Sequence, residues 1–154
     1  VVTVLKKRVK PSFLFIYLLF LSFLSFLFFP FVRIFFFPFN FFGIVLIVLG
    51  LMINLWTDRL LQKRNIDPDL EHPPPVLIET GIFKLSRHPM YLGMLLILLG
   101  FATVFSYLFP FLFPFSFFLI MELWVIPGEE KILRETFPVE YSNYKNKTPK
   151  WILF

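Results

Sequence analysis

The chain has 154 residues, of which 58% are hydrophobic and 21% aromatic, with 25 Phe and no Cys. This lies far from a soluble average, and the lack of thiols excludes disulfides and thiolate chemistry. The net charge of +5 sits in segments flanking apolar runs, which points to contact with anionic membrane lipids and argues against nucleic acid as a partner.

Basic residues from Lys6 to Lys10 precede the first uncharged run, Pro11 to Val32. It is too long for a signal peptide, and no small-residue cleavage site follows it. A second run extends from Ile34 to Thr57 and a third from Pro89 to Met121. A spanning helix needs about 20 apolar residues, so the first two runs each fit one span. The third is too long for one helix and is interrupted by Pro110 and Pro114. It predicts a tight hairpin of two short spans turning near Ser106 to Pro110. Lipid leaves no water for spare backbone groups, so each span is expected to be helical. The expected fold is an all-α integral membrane protein with about four transmembrane helices, the last two a tight hairpin, and a cytoplasmic helical tail. Residues 1–57 read as a two-span anchor, 58–80 as a connector and 81–154 as the functional core.

Of the 15 Lys and Arg residues, Arg33 alone falls between the first two spans and none between the last two. The others lie in Lys6 to Lys10, Arg59 to Arg87, and Lys131 to Lys150. Four spans place all three segments on one side, which the positive-inside rule makes the cytoplasm, with both termini inside.

The Phe-rich first half carries no chemical signal and reads as lipid contact, with Asn54 and Trp56 at the interface. Arg59 to Asn65 could continue the second helix beyond the bilayer. Asp67-Pro68-Asp69 and Pro73-Pro74-Pro75 then force extended backbone. Val76 to Gly81 reads as a short extended piece ending at a turn.

From Gly81 the chain changes character. Pro89 fits the first position of the third helix, where its missing N–H is no loss. His88 then falls at the cap, and Tyr91 lies one turn later on the same face. A helix start with Arg87 and His88 beside it suits an anion such as a carboxylate; the alternative is that these are headgroup anchors and Tyr91 a belt aromatic. Gly93 and Gly100 share a face and permit close helix packing.

Glu122 lies inside the fourth span, where an ionisable group points to function unless it snorkels to the interface. Pro127-Gly128 is expected to end that span. Glu129 and Glu130 follow, either capping a helix or binding an ammonium group. Leu133, Phe137, Tyr141 and Tyr144 form one face of a surface helix restarted at Pro138. Trp151 suits the interface. An anion site and a cation site at one membrane face together match an amino-acid zwitterion. With His72 and His88 the only histidines, no metal is expected.

Arg87-His88-Pro89-Met90-Tyr91-Leu92-Gly93 resembles the Arg-His-Pro-x-Tyr-x-Gly motif of the isoprenylcysteine carboxyl methyltransferase family. Glu129-Glu130-x-x-Leu133-x-x-x-Phe137-x-x-x-Tyr141-x-x-Tyr144 resembles its second motif. The resemblance spans roughly Val76 to Trp151. It implies a membrane methyltransferase using S-adenosylmethionine, held in a cytoplasm-facing pocket by Pro75, Val76, Leu77, Ile78, Phe83, His88, Pro89, Met90, Tyr91 and Glu129 or Glu130. The glutamate would meet the cofactor ammonium, and the His88 helix end its carboxylate. Methyl transfer works mainly by alignment, with Arg87, Tyr91 and Glu122 the candidates for direct catalytic roles. The acceptor would be a lipid or lipidated molecule entering from the bilayer. Pro138 replaces a family Gly, and Leu123 to Ile126 lacks the arginine of eukaryotic members, so the family name does not set the acceptor. Short four-span chains resemble prokaryotic relatives, which implies a bacterial or archaeal cytoplasmic membrane. The competing expectations are a nicotinamide-dependent reductase of the related sterol reductase type, which needs more basic residues than the connector offers, and a non-catalytic membrane protein.

Overall fold

A computed structural model describes residues 10–66 and 74–152. The expected basic cluster ahead of Lys10, Asp67-Pro68-Asp69, His72 and Pro73 lie outside the described residues.

The described chain is helical: α1 Pro11–Phe28, α2 Phe42–Gln62, α3 Pro89–Phe105, α4 Leu112–Ile120, α5 Ile126–Thr136 and α6 Pro138–Lys147. A π-helical segment, Met121–Val125, joins α4 to α5 without a break. Three stretches are long and apolar enough to cross a membrane: Pro11–Phe28, Phe39–Gln62 and Phe109–Thr136. The shorter apolar α3 packs among them. Only 11% of the apolar window in Phe39–Gln62 is buried within the protein. Val45, Val48 and Met52 are among its exposed side chains, a surface that lipid rather than water would cover.

The all-α membrane fold with a terminal hairpin is as expected. Ser106 closes α3 in the left-handed region at φ 66°, its amide donating to the Ala102 carbonyl at 3.1 Å. The α1–α2 loop meets this turn, where the Ile34 amide donates to Ser106 O at 2.7 Å and the Leu108 amide to Val32 O at 2.9 Å. Both connections therefore lie at one end of the bundle. The connector and the tail lie at the other, as an even number of spans requires.

Lipid gives helices no hydrophobic reason to associate, so close packing must hold them. The α2–α3 seam shows how. Gly43 faces Gly100 and Gly50 faces Gly93, and a methyl on Gly50 would come within 2.5 Å of the Gly93 carbonyl oxygen. Asn54 fills the space over Gly93 and joins this seam, because the absent side chain at Gly93 leaves room for it. Thr57, the next in this seven-residue series, is fully buried. On the other side of α3, Leu98, Phe117, Met121 and Leu18 form the core with α1 and α4.

Two expectations are corrected. Pro127-Gly128 does not end the helix. Proline lacks an N–H and crowds the preceding turn, but the π-helical segment Met121–Val125 runs directly into Ile126–Thr136 and α5 continues through it. A wider turn of this kind relaxes the crowding. Trp151 is not interfacial: it is 3% exposed and packs on Phe118 at 5.2 Å between ring centroids. The tail itself breaks at Phe137 and restarts at Pro138, as the sequence predicts.

Candidate functional site

At the connector end of the bundle, α2, α3, α5, α6 and the connector surround an open cleft.

Local structure explains how each wall forms. Asn65 ends α2 in the left-handed conformation at φ 52°. The Ile66 amide then returns to the Leu61 carbonyl at 3.1 Å, a Schellman-type stop that packs Ile66 on Leu61. Both side chains line the cleft, as does Thr57. Gly81, at φ 63°, turns the connector into a short 3₁₀ helix, Gly81–Lys84, which brings Phe83 into the wall beside Val76, Leu77 and Ile78. The Phe83 carbonyl accepts a 2.6 Å hydrogen bond from the Tyr144 hydroxyl. That fixes the connector to α6.

The polar wall is the start of α3 against α5. His88 is the N-cap and Pro89 opens the helix, so first-turn amides, beginning with Met90, have no acceptor within the helix. The His88 and Tyr91 rings stack 5.8 Å apart and 4° from parallel. The Tyr91 hydroxyl donates to Glu129 Oε1. His88 Nδ1 lies 3.5 Å from Glu129 and its Nε2 3.7 Å from Glu130. Arg87 Nη1 pairs with Glu130 at 2.7 Å and donates to the Tyr141 hydroxyl at 3.1 Å. Burial alone would lower the His88 pKa; the two flanking carboxylates outweigh it and raise the pKa. Burial, aided by Glu130, pushes the Tyr141 hydroxyl up to about 12. Arg87 Nε and His88 Nε2 are buried without a hydrogen-bond partner.

The structure thus brings together Val76, Leu77, Ile78, Phe83, Arg87, His88, Pro89, Met90, Tyr91 and Glu129 around one cleft. Pro75 and Glu130 do not line it. Pro75 is exposed, and Glu130 is turned onto Arg87. Glu122 does not line it either: it pairs with Lys150 at 2.5 Å and accepts from Trp151 Nε1 at 2.9 Å. Sequence reasoning missed Thr57, Leu61, Ile66, Pro74 (in place of Pro75) and the cleft-lining role of Leu133 and Tyr144. Asn65 followed by an apolar residue, a helix-stop signal, was the available clue to Ile66.

Apolar helices around a cleft with one charged wall at one end of the bundle define a membrane protein with a candidate small-molecule site. The phospholipid methyltransferase family model matches residues 39–140, more than half of the chain, and the chain belongs to that family. The family includes isoprenylcysteine carboxyl methyltransferase-like proteins, in agreement with the two motifs. Membership supports methyltransferase activity at a membrane. No curated protein and no solved structure matches the chain.

Proposed function

We propose that the protein transfers a methyl group from S-adenosylmethionine to a lipophilic acceptor, carboxylate or amine, that reaches the cleft from the bilayer. One observation carries the reading: a buried carboxylate, Glu129, shares a cleft with the α3 start and with Arg87 and His88, whose Nε and Nε2 atoms lack a hydrogen-bond partner. These groups suit the ammonium and carboxylate ends of an amino acid. Leu77, Ile78 and Phe83 offer an apolar surface for an adenine or ribose, so the residues present fit this group.

When bound, the cofactor supplies an electrophilic methyl on a good leaving group. The chain's own work is then alignment and exclusion of water. Glu129, held by Tyr91, orients one end of the amino acid, and the Arg87–His88 corner the other. A carboxylate acceptor needs no general base, whereas an amine must arrive unprotonated. The charge asymmetry supports a cytoplasmic cleft with both termini inside, and the likeness of short four-span chains to prokaryotic relatives supports a bacterial or archaeal cytoplasmic membrane.

Calorimetry on detergent-purified protein with S-adenosylhomocysteine tests the reading. Saturable heat is expected; none, from protein with an intact helical spectrum, overturns it. Membranes incubated with methyl-labelled cofactor would then identify the acceptor by where the label appears.

A further inference from the structure

Glu122 lies outside the cleft, yet both of its carboxylate oxygens are engaged. Lys150 Nζ holds Oε1 at 2.5 Å, and the Trp151 indole donates to Oε2 at 2.9 Å. A carboxylate on a membrane-spanning helix is costly and calls for a reason. The segment that binds it also grips the site. The Arg87 amide donates to the Pro149 carbonyl at 3.0 Å, and Ser86 Oγ donates to the Lys150 carbonyl at 2.9 Å. Ser86 Oγ in turn accepts from the His88 amide at 3.2 Å. Ser86 is 0% exposed, so its hydroxyl has no water to replace these partners. A continuous path therefore runs from Glu122 through Lys150 and Ser86 to His88.

We infer that Glu122 is a positioning residue: by anchoring Lys150 and Trp151 it holds residues 148–151 as a strap that sets the backbone of Ser86, Arg87 and His88 at the cleft wall. The pair itself is part-exposed, 24% for Lys150 and 30% for Glu122, and such pairs add little stability on their own. Its effect lies in where it puts the strap. The cofactor readout of this inference rests on the proposed function; the strap geometry does not.

The test uses the full chain in detergent with Glu122→Gln, Lys150→Met and the conservative Lys150→Arg, which keeps a cation for Glu122 and leaves the carboxylate to accept from Trp151. Two quantities are read: S-adenosylhomocysteine affinity, and the rate of tryptic cleavage after Lys147. Glu122→Gln and Lys150→Met are each expected to weaken affinity about tenfold and to speed cleavage, with the helical melting midpoint little changed. Lys150→Arg is expected to keep both near the unaltered values. Unchanged affinity in both Glu122→Gln and Lys150→Met overturns the inference, even where cleavage is faster, because the strap is then only a tether. A Lys150→Arg variant that behaves like Lys150→Met in either quantity overturns it too. If the unaltered protein binds no S-adenosylhomocysteine but Glu122→Gln and Lys150→Met are cleaved faster and Lys150→Arg is not, the cofactor reading fails and the strap stands.

Discussion

Arg87 and Glu130 meet at 2.7 Å with 7% and 9% of their side chains exposed, and Tyr141 closes the pair by accepting from the same Arg87 nitrogen. Removing one partner of a buried pair leaves the other charge unsatisfied, a loss of about 3–5 kcal/mol. Glu130→Gln is therefore expected to lower the thermal midpoint sharply. Apolar replacement of both, Arg87→Met with Glu130→Leu, should restore much of it. Melting curves followed by circular dichroism would check this; equal midpoints for Glu130→Gln and the unaltered protein would contradict the pairing.

Glu129, by contrast, belongs to the cleft. A hydrogen bond to a charged group contributes about 1.5–3 kcal/mol. Glu129→Gln should thus weaken S-adenosylmethionine binding roughly 10- to 100-fold. Glu130→Gln should act first on folding. Titration calorimetry on folded variants separates the two, and a Glu129→Gln affinity equal to the original would exclude Glu129 as the ammonium partner.

His88 makes stability depend on pH. It is faced by Glu129 and Glu130 from α5 and by Tyr91 from α3, with Arg87 beside it and Tyr141 nearby on α6 as Arg87's partner. Its pKa in the fold is raised above the ordinary 6.5, so the folded state holds the proton more tightly than the unfolded chain. That contribution is complete below about pH 6.5 and is lost as pH rises through the folded value. The midpoint difference between the protein and His88→Gln should be largest near about pH 6 and shrink on the alkaline side. A difference that grows with pH would reverse the assigned sign.

The glycine seam gives a prediction remote from the cleft. Gly50→Ala would drive a methyl against the Gly93 carbonyl, and backbone cannot yield as a side chain can. Overpacking of this kind costs about 1–3 kcal/mol. A lowered midpoint in detergent is expected, and an unchanged one would show that α2 and α3 do not pack at this distance.

Much of this architecture was legible in order along the chain. Run lengths, Pro110 and the placement of Arg33 reveal the spans and the hairpin, because lipid imposes length and helicity locally. The cap at His88-Pro89 is likewise a local rule. The fate of Trp151 was not legible, since its burial depends on Glu122, 29 residues away. Nor was the division of labour between Glu129 and Glu130. Adjacent residues on a helix point about 100° apart, and only the position of Arg87 decides which of them faces the cleft. Pro127 misled because proline usually ends a helix, whereas no composition rule marks the π-helical turn ahead of it.

That turn has a consequence for how the last long helix can be built. Its upper part, α4, must match α1 and α3, while its lower part, α5, must aim Glu129 at the cleft and Glu130 at Arg87. A uniform helix would tie the two azimuths together at about 100° per residue. The widened segment Met121–Val125 acts as an angular offset between them. One continuous helix thereby meets both the α1–α3 core and the charged corner.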